Sequence, residues 1–531
     1  MPGEQSVANP KVLFSAVFGL NADKLETSLK KFSQPAAKAY GLLPLTEKDK
    51  NKEIVKRYIR LLEFEKGCQK FGAERRANSK AATLVGIENL AQNAGFSDAL
   101  RLQWWVESQL SDHKNELEKS FDEGDYSVSY TLDVGGPVIE IKKNEKLLKS
   151  IPSALKKNAQ YIELKEQYDI LKKQHSRMRK RVEQMMSEGE LLVKEDIDIL
   201  KSIPSGKVLL ESLILKTSNG KYGLLNSEKN GLVQVGSDSD LIKLSNKSYP
   251  LVIAHTMNLH GDGVLASWQQ EIFRLRIKQP FKQAFREIYV LTNAERETKT
   301  YTNRFSDRLI NTSRASGLLS SRSWKTVSQG EVKVHRVFRD HKMSVELTLD
   351  QYGHYFTEKD EVTTSSLNFT RYPEGLYQKP EKISLDSIDP QIFSEVLRDI
   401  DLVVSVAHVD SSQRVSENSV VVRTDLLYAM VKDMEIEGVK IVGKYAMVEG
   451  VRGSYRIHLA TGAIYIGAGK HLCVVPDKSK DIPTDIFLPF VADDDVKLRE
   501  IISRIILLLN DEKIKDKVIL QQIDNATDNR S

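Results

Sequence analysis

Leu164-Lys-Glu-Gln-Tyr-Asp-Ile-Leu-Lys-Lys-Gln-His-Ser-Arg-Met-Arg-Lys-Arg-Val-Glu-Gln-Met185 divides this 531-residue chain into two kinds of sequence. Within it Leu164, Tyr168, Leu171, His175, Met178, Val182 and Met185 recur at steps of three and four. That spacing lays them along one seam of a long helix packed against a neighbour. His175 reads as a core histidine with a local hydrogen bond, because no second His or carboxylate shares the seam. Arg177, Arg179, Lys180 and Arg181 occupy the other faces, where a solvated basic surface is the simpler reading and a phosphate-contacting surface the sharper one.

Upstream, from Lys11 to about Asn115, apolar spacings of three and four broken at Gly41, Pro44, Gly72 and Gly95 predict a small all-helical region. Tyr126 to Leu132 then alternates with period two, meets Gly135-Gly136-Pro137 and resumes as Val138 to Ile141, a hairpin signal.

Downstream the pattern is mixed. Leu251 to Ala254, Val332 to Phe338, Met343 to Leu349 and Leu402 to Ala407 predict strands, the last apolar enough to be buried on both faces. Helices are expected from Gln279 to Val290 and from Pro390 to Arg398. A second strand series covers Val439 to Val442, Tyr455 to Leu459, Ala463 to Ile466 and Leu472 to Val475, with Thr461-Gly462 as a hairpin turn. Asp493-Asp494-Asp495 would cap a last helix whose Leu498, Ile501, Ile502, Ile505 and Leu509 form a wide buried face, and the tail from Asp524 reads as frayed.

The fold class is therefore α+β: a helical N-terminal region with a long heptad-patterned helix, followed by a mixed α/β C-terminal core. The expected divisions are a helical region over 1–120, a hairpin and long basic helix over 121–240, a mixed region with the Gln279–Tyr289 helix over 241–384, and a C-terminal α+β domain over 385–531.

Hydrophobic content of 40% and charged content of 28% describe an ordinary globular protein. Cys68 and Cys473 match no metal or disulfide pattern, which points to a reducing, cytoplasmic setting, and Cys473 reads as a buried strand residue. Val12 to Leu20 could imitate a secretory h-region, but no small-x-small cleavage site follows, so an ordinary helix is expected. The longest other apolar run, Ile505 to Leu509, is far below the roughly 20 residues a membrane helix needs.

The familiar catalytic motifs fail. Gly467-Ala-Gly-Lys470 has Ile464 where a phosphate loop needs its opening glycine and His471 where it needs Ser or Thr. No GxSxG elbow, HExxH pair or dinucleotide fingerprint is present. Glu437-Gly-Val-Lys440 is one residue too long for a nuclease-type acid and lysine on one strand face. His255 and His260 have a spacing that suits neither one helix face nor one strand face, so they are read as a loop pair with no shared ligand role. Neither a cofactor nor a metal is expected.

Two polar clusters stand where a core is expected. In Gln279-Pro-Phe-Lys-Gln-Ala-Phe-Arg-Glu-Ile-Tyr289, Pro280 would start a helix with Lys282, Arg286 and Tyr289 on one face and Gln283 and Glu287 on the next. In Phe393-Ser-Glu-Val-Leu-Arg-Asp-Ile-Asp-Leu402, Glu395, Arg398, Asp399 and Asp401 would immediately precede a buried strand. Charges crowded against a core must be paired or functional. They form either an internal salt-bridge lattice or a site, with Glu287, Glu395, Asp399, Asp401 and His458 as catalytic candidates and Lys282, Gln283, Arg286, Arg304 and Arg398 as binding candidates.

These two runs, with Arg304, Gly317 to Trp324, Tyr455 to Gly462, Leu472 to Pro476 and Leu488-Pro-Phe490, resemble the C-terminal region of bacterial MolR-like proteins, named for a molybdate-metabolism regulator. Gly95 to Trp104 and Ser176 to Arg181 fit the same family. The resemblance implies a bacterial protein with a domain of unknown function and carries over no reaction. Two functions follow as expectations: a regulatory or interaction protein with a protein or nucleic-acid partner, or an enzyme acting on a phosphate-containing or nucleotide substrate through the charged cluster.

The net charge of +5 hides two basic segments. Residues 142–186 hold thirteen basic and five acidic side chains, and residues 282–340 hold twelve and six. Local fields steer association, so an anionic partner is expected at those segments.

Overall fold

In the computed structural model the described residues are 8–20, 22–110, 118–148, 150–236, 241–329, 331–350, 361–371, 380–407, 417–433, 436–467, 470–472, 487–491 and 496–527. The chain forms two compact units, one comprising Met1–His175 and Leu192–Leu210, the other Ser176–Leu191 and Glu211–Ser531. The fold is α+β, as expected.

The first unit begins with helices α1 (Ala8–Val17), α2 (Ala22–Lys30), α3 (Gln34–Tyr40), α4 (Lys50–Gly67), α5 (Ala73–Ala94) and α6 (Ala99–Leu110). Small residues let α3 and α5 approach closely. A Cβ on Gly86 would lie 2.3 Å from the Ala37 carbonyl oxygen, so only glycine fits at that crossing. Tyr40, Tyr58, Leu61, Phe64, Leu90 and Leu102 fill the core beside it.

An antiparallel meander follows, β1 (Glu118–Glu123), β2 (Tyr126–Asp133), β3 (Gly136–Lys143) and β4 (Lys146–Leu147), paired in chain order. The expected hairpin is β2–β3, in register from Tyr126 opposite Lys143 to Asp133 opposite Gly136. Its inward Val128, Tyr130 and Ile141 meet Tyr161, Leu164 and Leu171 of the long helix α7 (Ala159–Glu188). His175 is buried, with Nε2 3.1 Å from the Val134 carbonyl, so the seam histidine is the core residue its position predicted. Helices α8 (Lys194–Ser202) and α9 (Pro204–Glu211) follow.

Among the described residues the second unit contains three sheets. Strands β5 (Ile214–Lys216), β6 (Tyr222–Asn226), β7 (Gly231–Val233), β8 (Leu241–Lys243) and β9 (Val252–Ile253) lie in the order β8-β7-β6-β5-β9. Helices α10 (Thr256–Gly261), α11 (Leu265–Arg274) and α12 (Asn293–Thr298) come next. The largest sheet holds β10 (Tyr301–Thr302), β11 (Leu309–Asn311), β12 (Lys325–Gln329), β13 (Glu331–Phe338), β14 (Met343–Asp350), β15 (Glu361–Arg371) and β16 (Glu381–Lys382), with α13 (Thr312–Ser321) between β11 and β12. Helices α14 (Pro390–Ala407) and α15 (Glu417–Asp433) lead to a meander of β17 (Val439–Val442), β18 (Tyr445–Glu449), β19 (Ser454–His458), β20 (Ile464–Ile466) and β21 (Lys470–Leu472). Helices α16 (Val496–Leu509) and α17 (Lys517–Thr527) end the described chain.

Three expectations are corrected. Leu402 to Ala407 is the last part of α14, not a strand. Gln391 to Asp401 are all buried, and the mostly apolar end of a helix buried on nearly every face reads like a strand covered on both sides. Gln279 to Val290 is not a helix either. Residues 279–287 are all buried without regular structure, and their polar groups are met from outside: the Gln279 N–H donates to Pro489 O, and the Val491 N–H to Gln279 O, each at 2.8 Å. Tertiary partners here override the local signal that Pro280 and the four-residue spacing send. The tail expected to fray from Asp524 continues as α17 to Thr527. Cys473, Asp493 to Asp495 and the centre of Gly467 to Lys470 lie outside the described residues.

Candidate functional site

The two polar clusters do meet, in the second unit, but as an irregular chain lying against one helix. Glu395 on α14 accepts from Arg286 through Nε at 2.5 Å and NH2 at 2.8 Å, and from His255 Nε2 at 2.8 Å. Arg286 also donates through NH1 to Glu183 on α7 at 2.9 Å and to the Lys282 carbonyl at 3.3 Å. Glu287 accepts from Lys282 Nζ at 2.9 Å on one oxygen and from Arg398 Nε at 2.8 Å on the other. Asp399 accepts from Trp324 Nε1 at 2.8 Å and Arg336 NH1 at 2.7 Å, with Arg322 Nε 3.3 Å from its second oxygen. The Tyr289 hydroxyl donates to Asp401.

Local sequence explains who faces whom. On α14, Glu395, Arg398 and Asp399 fall at steps of three and four and share one flank. On β13 the period of two turns Val334, Arg336 and Phe338 inward together, which delivers Arg336 to Asp399. Arg336 NH2 reaches Glu188 at the end of α7 at 3.2 Å.

Burial and charge set the protonation states. Burial alone would raise the carboxyl of Glu395, yet Arg286 and His255 hold it well below the usual carboxylate range. Lys282 and Arg398 do the same for Glu287 against its own desolvation. Burial lowers His255, with Arg286 and Arg398 adding to that effect, and overcomes the pull of Glu395. Its Nδ1 accepts the Met257 N–H at 3.1 Å, which leaves the ring proton on Nε2 for Glu395. His255 is thus a neutral imidazole capping α10.

The remaining candidates lie apart from these contacts. Gln283 binds backbone: its side-chain amide donates to Ile214 O and Ala254 O and accepts from Ile214 N. Arg304 pairs with Glu295 and the Val290 carbonyl. His458 packs against Tyr445 at a tilt of 50° and bonds Thr461, and burial together with Lys444 lowers its pKa. His255 lies in the loop just ahead of α10, as read, but it is buried against Glu395, a contact the loop reading did not predict. His255 had no legible signal, because Glu395 lies 140 residues away. Arg336 had one, a charge on the apolar face of an alternating strand. Trp324 fell inside the family motif, although its role was not legible.

The basic segment 282–340, expected to meet an anionic partner, turns several cations inward: Lys282, Arg286 and Arg336 are buried and ion-paired. Among the described residues, no group of three His, Cys, Asp or Glu side chains is placed to hold a metal, and no helix is long and apolar enough to cross a membrane.

Three domains of unknown function match parts of the chain: DUF5724 over residues 22–106, DUF4132 over 146–324 and DUF7737 over 420–523. Neither a curated protein nor a solved structure matches. The second match contains His255, Lys282, Arg286, Glu287 and Trp324; their partners on α14 fall outside all three.

Proposed function

We propose that this chain is an interaction protein, a regulatory or scaffold component that presents surfaces to a protein or nucleic-acid partner, and that its buried charges serve the fold. One observation carries this reading: Glu287 and Glu395, the carboxylates best placed for chemistry, spend both oxygens on cations of the chain itself. A general acid or base needs to come within hydrogen-bond reach of its substrate. A MolR-like relationship and a bacterial cytosolic setting belong to the same proposal, supported by the motif resemblance and by the scarcity of cysteine. The competing enzyme reading requires Lys282, Arg286 and Arg398 to exchange their carboxylates for a substrate phosphate.

The test has two parts. Cross-linking the full-length chain in its native cell, followed by isolation, should yield a stoichiometric complex. Millimolar inorganic phosphate or nucleoside triphosphate should leave the Tm of the purified chain unchanged. A rise in Tm with either anion, abolished by Lys282→Met, favours the enzyme; a chain that isolates alone removes the interaction reading.

A further inference from the structure

Residues 22–106 hold sixteen basic and ten acidic side chains, so this helical region alone carries +6 against +5 for the whole chain. Much of that charge lies along α4. Lys52, Lys56 and Arg60, four residues apart, form one stripe, and Val55 and Ile59 form the stripe beside it. Together with Glu63 and with Gln109 of α6 they line an open cavity of about 590 Å³.

Glu63 is the one acidic side chain in the lining, against three cations. Among the described residues, Lys52 and Lys56 have no carboxylate within ion-pair distance. Arg60 shares Glu63 through NH1 at 2.8 Å, while its Nε is buried with no acceptor. The floor is aliphatic, and Ile59 remains 37% exposed. Val55 and Ile59 form a narrow aliphatic strip flanked by cations, a shape that an amphipathic helix of opposite charge can cover. A nucleic-acid strand would need rings on which to stack its bases, and the residues lining this groove include none. A helix laid along α4 meets it on equal terms, since carboxylates four residues apart rise about 6 Å, the same step as the cations.

We propose that the α4–α6 groove docks an amphipathic acidic helix of a partner protein, its apolar stripe on Val55 and Ile59 and its carboxylates on Lys52, Lys56 and Arg60. This deepens the interaction reading and rests on it.

The probe is a fluorescein-labelled helical peptide of about sixteen residues, with Leu at i, i+3, i+4 and i+7 and Glu on the flanks. It is compared by anisotropy with a scrambled peptide and with oligothymidine, on the full-length protein. The helical peptide should bind at micromolar concentration, and the scrambled one should not. Lys52→Glu with Lys56→Glu should weaken binding by about tenfold or more, and Ile59→Ser should weaken it as well. Both variants change exposed side chains and should keep the wild-type melting curve. Should either melt early, protection of α4 amides from hydrogen exchange by the peptide in the unaltered protein decides instead.

No binding, equal binding of the scrambled peptide, binding untouched by the substitutions, or oligothymidine competing for the groove each overturns the proposal. A native complex that survives Lys52→Glu/Lys56→Glu overturns the groove and leaves the interaction reading standing. Absence of any complex overturns both.

Discussion

Arg398 donates through Nε to Glu287 at 2.8 Å, and neither side chain is more than 8% exposed. Glu287 is shared with Lys282, and the neighbouring carboxylate Glu395 with Arg286 and His255. Removing one partner of a buried pair leaves the other uncompensated and costs about 3–5 kcal/mol. Glu395→Gln and Arg398→Met should each destabilise the protein by that order, read from denaturant midpoints. A Glu287→Gln/Arg398→Met double-mutant cycle should give a coupling of about 0.5–3 kcal/mol. Additive effects would mean that the two side chains do not act as a pair.

Stability should fall on acidification in two stages. His255 is held below its ordinary 6.5, so the unfolded chain takes up its proton first, and stability present above that value is lost as pH falls. Glu287 and Glu395 are held below 4.5, and their contribution is lost at still lower pH. Urea midpoints should therefore decline below about pH 6.5 and again below about pH 4.5. His255→Gln should shrink the first decline, leaving the share that His458 contributes, and keep the second. A flat profile down to pH 4 would contradict both assignments.

Gly86→Ala should destabilise the first unit. In an exposed helix the change gains about 1 kcal/mol, but here the new methyl meets the Ala37 carbonyl and forces α3 from α5, costing about 1–3 kcal/mol. Gly317→Ala, inside α13 with nothing within 4 Å of the added carbon, is the helical control in thermal melts.

Just past α16, buried Asp511 reaches the C-terminal meander, accepting from the Val451 N–H at 2.9 Å, the Arg452 N–H at 2.8 Å and the Tyr455 hydroxyl at 2.8 Å. Asp511→Ala strands all three donors, whereas Tyr455→Phe removes one. The first should cost about 1–3 kcal/mol more than the second, measured by chemical denaturation. Equal losses would deny the carboxylate its role at the β18–β19 turn.

The long seam of α7, the β2–β3 hairpin and the alternation of β13 were legible because each is a local period. The Gln279–Tyr289 segment was misread for the opposite reason: Gln279 takes its backbone partners from Pro489 and Val491, and no window along the chain contains both ends of that arrangement. The run ending at Ala407 misled because a short apolar stretch, broken by Ser405 alone, fits a buried strand and a buried helix equally well. For the candidate site, residue types were enough to single out Lys282, Arg286, Glu287, Glu395, Arg398 and Asp399. They left open whether these residues would neutralise one another or form a site, and gave no sign that His255 would join them.

The bond between Gln279 and Pro489 spans 210 positions, and it governs the order in which the second unit can be finished during synthesis. Until Val491 has left the ribosome, the main chain at Gln279 has no partner and the segment behind it cannot be sealed. Long-range closures of this kind slow folding. A product that stops after α14 therefore already holds the carboxylates that pair with Lys282 and Arg286, yet leaves the main chain at Gln279 unsealed.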